Sequence, residues 1–221
     1  DAVDLEGTTV RRATANNISF MKKLHLTVGS RITVYKANMI IPTIDENFNP
    51  VGELQIPQIC PSCGGASQIR RTAEAEVLYC ANPDCPAKNL KHFTHFVSRD
   101  AMNVVGLAES TISMLMDNGF IQNYYDLYTL GNKPEVARLE GFGQGSYNNL
   151  IKALEDSKNV KLGNFIFAFG IDMVGKGAAK DIAKHVKYDV ANFVKAMDSG
   201  YDFRQVEGIG DKTNQNLYDW W

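Results

Sequence analysis

A chain of 221 residues, 44% hydrophobic and 22% charged, has the makeup of a globular protein with apolar matter for more than one small core. Its formal net charge of −2 excludes a protein that coats nucleic acid by bulk positive charge. No apolar run approaches the roughly 20 residues of a membrane span; "FIFAFGI" at 165–171 is too short, and no membrane partner is expected.

Asp1, Asp4 and Glu6 occupy the place where a signal peptide carries basic residues. There is no initiating Met, so the chain is expected to begin inside a longer one. Acidic and basic residues balance over 1–57, basic ones lead over 58–99, and acidic ones lead beyond. A nucleic-acid partner would therefore be gripped by local patches and backbone amides.

The first segment reads as strands of a small barrel. "GTTVRRAT" (7–14) and "SRITVYKANMIIPTI" (30–44) carry the β-branched content of strands, with Ile32 and Val34 on one side and Thr33 and Tyr35 on the other. "ISFMKKLHL" (18–26) predicts a short helix between them. Arg11, Arg12 and Lys36 are candidates for contacts to a phosphate backbone, against the plainer reading of solvated barrel charges. "DENFNPVGELQIPQI" (45–59) predicts a linker.

All four cysteines follow in one short stretch. Cys60 and Cys63 form CPSC, and Cys80 and Cys85 form CANPDC. Thiolates at such spacing turn back toward one ion, and four of them fill a tetrahedral Zn²⁺ site, which makes the expected role structural. Gly64, Gly65, Pro61, Pro83 and Pro86 supply turns, and Val77–Tyr79 predicts a strand of a hairpin ribbon. The competing reading, two disulfides, lacks any sign of secretion. His92 and His95 read as ordinary helix residues.

Beyond residue 99 one pattern recurs, in "VVGLAESTISML" (104–115), "LEGFGQGSYNNL" (139–150), "DMVGKGAAKDI" (172–182) and "VEGIGDKTNQNL" (206–217). Each has a small-residue turn enclosing an apolar residue. The turns end at Ala108, Gly143, Gly175 and Gly210, and each has an apolar residue seven positions on: Leu115, Leu150, Ile182 and Leu217. Near-constant spacing marks one supersecondary unit used repeatedly, and the flanking three- and four-residue periodicity is helical. The expectation is four helix–hairpin–helix units whose helix-start N–H groups face a phosphate. Gly141, Gly143, Gly175, Gly177, Gly208 and Gly210 are the candidate DNA-contacting positions. Ala108 and Met173 stand where glycine is expected, so those two hairpins are read as mainly structural. The plainer reading makes every glycine a helix–turn–helix punctuator.

The order of these parts, "LEGTTVRRATANN", "VYKANMIIP", the cysteine clasp, "HFVSRDAMNVVGL" and the four hairpins, resembles the C-terminal half of a bacterial NAD-dependent DNA ligase from Leu5 to Trp221. The resemblance implies a multi-domain α+β chain. Its parts would be a partial small β-barrel (OB-fold, 1–57, incomplete at its N-terminus), a Cys₄ zinc ribbon (58–90) and an all-α helix–hairpin–helix domain (91–221). By motif match Arg12 takes the place of the arginine in "SRAT", and Lys36 that of the basic residue before "AGD". Arg11 replaces a usual serine, and "KANMIIP" stands for "KAGDVIP".

In that family a lysine in a KxDG motif attacks NAD, AMP passes to the 5′-phosphate of a nick, and the 3′-hydroxyl seals it. No KxDG occurs in these residues. The resemblance therefore implies no catalytic residue here, with NAD and Mg²⁺ bound outside this stretch and adenylation and BRCT domains lying beyond it. The implied partner is nicked duplex DNA, bound without sequence preference, in the bacterial cytoplasm at the nucleoid. An alternative is a stand-alone, zinc-containing DNA-repair binding module without enzymatic activity. A third, a nuclease or glycosylase, needs clustered catalytic carboxylates or a lysine near a hairpin; Glu74 and Glu76 are the closest carboxylate pair and read as solvated strand residues. The terminal "YDWW" reads as core aromatics of a helix.

Overall fold

The computed structural model describes residues 2–72 and 75–221, which fall into two units, Asp1–Pro86 and Ala87–Trp221. In the first, Glu6 and Gly7 lie at φ 51° and 74°. Paired left-handed residues match the twist of a tight hairpin, and they fold β1 (Val3–Leu5) back on β2 (Thr8–Val10) with Leu5 opposite Thr8. Helix α1 (Ile18–Lys23) starts at Asn17, whose side chain accepts the Phe20 N–H at 2.8 Å, a cap that satisfies one free helix-start donor. It is shorter than the 18–26 expected, because His25 turns left-handed at φ 49°.

β3 (Ile32–Ala37) pairs antiparallel with β4 (Ile41–Asn47), with a register shift between Ile32 and Val34. Asn38 and Met39 make the turn between them at φ 50° and 63°. The expected linker starts later than residue 45, since β4 runs through Asn47. A bridge from Thr14 to Thr43 ties the segment after β2 to β4. The strands form separate two-stranded ladders, and among the described residues no barrel closes. The third ladder, β5 (Ser67–Arg71) with β6 (Glu76–Cys80), is the expected ribbon.

The second unit is helical throughout its described elements. They are α2 (Pro86–Val97, whose first residue closes the preceding unit), α3 (Glu109–Asp117), α4 (Tyr124–Thr129), α5 (Gly143–Ser157), α6 (Leu162–Ala168), α7 (Lys176–His185), α8 (Val190–Asp198) and α9 (Asp211–Trp220), with short 3₁₀ turns between some of them. Two apolar clusters hold it. Phe93, Phe96, Ile112, Leu115, Leu127 and Leu150 belong to one, and Ile166, Ile182, Phe193, Phe203 and Leu217 to the other. Phe165, Phe167 and Phe169 pack against both. Trp220 packs on the second cluster, whereas Trp221 is exposed and donates its Nε1–H to Asp198 at 3.1 Å. Only the first of the two tryptophans is therefore a core aromatic.

The repeat is visible as geometry. Leu115, Leu150, Ile182 and Leu217 are all buried. In each copy the turn's apolar residue donates its N–H to the carbonyl three residues back: Leu107 to Val104, Phe142 to Leu139, Val174 to Ile171 and Ile209 to Val206, at 2.9–3.4 Å. The residue before it is left-handed every time, at Gly106, Gly141, Met173 and Gly208 (φ 84°, 74°, 66° and 81°). That is a four-residue turn whose third position demands positive φ and favours glycine.

Candidate metal centre and nucleic-acid interface

The first knuckle is built by its glycines. Gly64 turns at φ 69° and donates its N–H to the Cys60 carbonyl at 2.9 Å, while the Cys60 N–H donates to the Gly65 carbonyl at 2.7 Å. A Cβ on Gly65 would stand 3.1 Å from the Asn82 Cβ and 3.3 Å from the Cys63 Sγ, so the two knuckles meet only because that side chain is absent. In the second knuckle the Asn82 side chain accepts the Asp84 N–H at 2.9 Å, a local turn that brings round the buried Cys85.

The four Sγ atoms lie within 4.8 Å of one another. Cys60 and Cys85 are 3.9 Å apart and Cys63 and Cys80 are 3.4 Å apart, well beyond a disulfide bond of about 2 Å. A tetrahedral ion with sulfur ligands at about 2.3 Å sets its sulfurs about 3.8 Å from each other. The donor set therefore fits a metal ion with its ligands already gathered. Backbone N–H groups of Cys63 and then Ser62 hold the Cys60 thiol below its ordinary value. Desolvation pushes Cys80 up to about 12. Desolvation thus opposes ionisation of the Cys80 thiol, and a divalent cation bound there removes that penalty.

Glu76 is not the solvated residue expected from the ribbon pattern. It accepts from Lys22 at 2.5 Å and from Arg71 at 2.9 Å, with 16% of its side chain exposed, and its own N–H donates to the Ser19 Oγ at 2.8 Å. The ribbon strand is thereby pinned to α1, which makes Glu76 a tie between elements. Glu74 lies outside the described residues. His95 places its Nε2 2.8 Å from the Phe167 carbonyl and packs edge-on against that ring, as an ordinary helix residue does; His92 is exposed.

Arg11 and Arg12 are exposed. Lys36 points inward, with 13% of its side chain exposed, its Nζ 3.8 Å from Glu6 and 3.3 Å from the Thr8 Oγ1. It links the β1–β2 and β3–β4 hairpins. Sequence reasoning passed over Arg70, which lies on the ribbon with its guanidinium 4.7 Å from the Tyr79 ring centroid; two adjacent arginines in a strand were the available signal.

The six candidate glycines belong to three separate turns and the helix starts that follow them. Gly141 and Gly208 take the left-handed position. Gly175 and Gly210 cap α7 and α9 in extended conformation, at φ −74° and −96°, and Gly177 is the second residue of α7. Gly143 differs from its counterparts, opening α5 at φ 70°. Ala108 caps α3 at φ −78°; alanine is accepted there because that position asks for no left-handed backbone. A Cβ on Gly175 or Gly210 would meet no atom within 4 Å.

Residues 1–53 match the family described as the NAD-dependent DNA ligase OB-fold domain. The chain is 47% identical over 212 residues to a DNA ligase of Lachnoclostridium phytofermentans, covering 95% of this chain and 32% of that protein. It is 43% identical to a DNA ligase of Ruminiclostridium cellulolyticum, over 96% of this chain and 32% of the relative. For a DNA ligase of Bacillus cereus strain B4264 the identity is 36%, over 98% and 32%. The chain spans about a third of the length of these relatives.

Proposed function

We propose that this chain, a fragment of an NAD-dependent DNA ligase, is the part that grips duplex DNA at a nick without reading its sequence. The observation that carries this reading is the empty space outside Gly175 and Gly210. Both have backbone angles that any residue adopts, and no neighbour in the chain crowds a Cβ there. Their glycines serve an approach from outside, one that brings a phosphate against the free N–H groups of α7 and α9. On this reading the four recurring turns are helix–hairpin–helix units. Gly141, Gly143, Gly177 and Gly208 shape the same surfaces, and Arg11 and Arg12 add backbone contacts. Lys36 joins them only by leaving Glu6.

The ion we assign to Cys60, Cys63, Cys80 and Cys85 is Zn²⁺, held structurally by four thiolates with no position left for water. In the whole enzyme, NAD binding, adenylation and AMP transfer to the nick belong to other domains, which also hold Mg²⁺, and this portion does not adenylate by itself. The enzyme would work in the bacterial cytoplasm on the nucleoid.

The test is binding of the purified chain to nicked and intact duplex at roughly 50 and 200 mM salt, where phosphate-borne affinity falls steeply, with zinc counted by elemental analysis. Salt-sensitive binding to both duplexes with one zinc per chain is expected. Gly175→Val and Gly210→Val should weaken both. No binding to either duplex at the lower salt, with zinc in place, overturns the reading.

A further inference from the structure

A cavity of about 670 Å³ opens on α6 and α7, lined among others by Lys161, Gly163, Phe167, Lys176, Lys180 and Tyr188. Its size suits a small ligand, for which about 300–1,000 Å³ is usual. One glycine shapes it. A Cβ on Gly163 would stand 3.1 Å from the Cα of Lys180 and 3.5 Å from the Ala179 carbonyl oxygen. The two helices therefore touch backbone to backbone, which draws three lysines to one wall. Lys161 immediately precedes α6, Lys176 opens α7, and Lys180 lies one turn further on.

The charges do not cancel. Among the described residues Asp100 is the one acid lining the cavity; its carboxylate pairs with Lys176 and its carbonyl accepts from the Asn164 Nδ2 at 2.8 Å. The side chains of Lys161 and Lys180 have no hydrogen bond or ion pair among the described residues. Three ammonium groups against one carboxylate leave an excess of two positive charges, in the part of the chain where acidic residues otherwise lead. The opening position of α7 is one where the helix dipole disfavours a cation, so stability of the helix does not account for Lys176. Two aromatic rings complete the walls. Phe167 lies 5.9 Å beneath the Lys176 Nζ, and Tyr188 is exposed at φ 58°.

We propose that this cavity is a nucleotide phosphate site, with Lys161 and Lys180 holding the phosphate and the exposed Tyr188 offering a face to the base. The cavity adjoins the third glycine turn, since Lys176 stands between Gly175 and Gly177, and the expected source of its phosphate, a nucleic-acid strand, rests on the clamp reading. A free mononucleotide presents the same chemistry.

The experiment compares the chain with its Lys161→Gln/Lys180→Gln and Lys161→Arg/Lys180→Arg variants, in two arms. One measures duplex affinity across a series of salt concentrations, and the other titrates thymidine 5′-monophosphate. Both lysines are exposed, and far-UV circular dichroism checks that the variants fold. With a strand as the source, the glutamine variant shows a log K against log salt slope shallower by about 1 to 2, as expected for one or two lost phosphate contacts. The arginine variant then keeps the slope. With a free nucleotide as the source, thymidine monophosphate binds the chain saturably and the glutamine variant not at all. Identical behaviour of the chain and its glutamine variant in both arms overturns the site. Should the chain bind no duplex, the clamp reading fails alone, and the mononucleotide arm still decides this one: saturable binding lost in the glutamine variant upholds the site, and no binding removes it.

Discussion

Met173 stands where three sister turns have glycine, and the backbone there is left-handed all the same, at φ 66°. An L-residue in that region is strained by about 1–2 kcal/mol. Glycine would relieve the strain and return part of the gain through the greater freedom of the unfolded chain. The Met173 side chain is 65% exposed, so little packing is lost. Met173→Gly is therefore expected to stabilise the helical unit by up to about 1 kcal/mol, read as a higher urea midpoint at unchanged slope; a lower midpoint would show that the methionine makes contacts worth more than the strain. A second residue-scale effect concerns Glu76. The hydrogen bond from Lys22, and then that from Arg71, hold its carboxyl below the ordinary glutamate value. A carboxylate depressed in the folded state stabilises above its unfolded pKa of about 4.3 and loses that contribution as pH falls through the folded value. Glu76→Gln should thus cost stability at neutral pH and remove part of the acid dependence below about pH 4.3. Melting curves of both proteins across that window should converge as pH falls, and a constant offset between them would mean that the ion pairs contribute nothing.

At the scale of elements, the cysteine clasp and the turn-initiated helices α3, α5, α7 and α9 were legible because their signals are local: two knuckles of thiols with glycine and proline, and an apolar residue seven past each turn. Helix α6 was not. Its sequence "LGNFIFA" is apolar nearly all round, since Ile166 and Ala168 are buried in different clusters and the phenylalanines on either side pack against both. A helix between two cores shows no polar stripe, and periodicity has nothing to read. The role of Gly65 was likewise only half visible. The sequence marks it as a turn residue, whereas the structure gives it an ordinary φ and a neighbour too close for any side chain. Gly65→Ala is expected to push Asn82 away from Cys63 and weaken metal retention, at a cost of about 1–3 kcal/mol typical of overpacking. A competition titration with a chromophoric chelator measures it, and unchanged affinity would mean that the second knuckle yields freely.

Across the whole molecule the apolar core is unevenly shared. Among the described residues of the first unit only Val10, Ile18, Leu26, Ile44 and Cys85 are buried hydrophobics, while the second unit holds two clusters rich in fully buried side chains. The recurring turns made the second core readable from sequence. Of the first unit the clasp was readable locally and the barrel part mainly by its resemblance to a known family, because its strands pair in ladders of two whose partners no local pattern specifies. A domain with so few buried side chains needs another source of stability, and metal binding is one that couples directly to folding. In the clasp all four ligands come from 26 residues, and β6 carries one of them at its end while Glu76 at its start holds α1. Losing the ion should therefore loosen the ribbon and the helix together. The helical unit, with its own cores, has no such dependence. Calorimetry with and without a strong chelator is expected to show two transitions, of which only the one belonging to the first unit moves down, while helical dichroism at 222 nm stays largely intact until the second. A single transition shifting as a whole would mean that the metal stabilises both units through one cooperative fold.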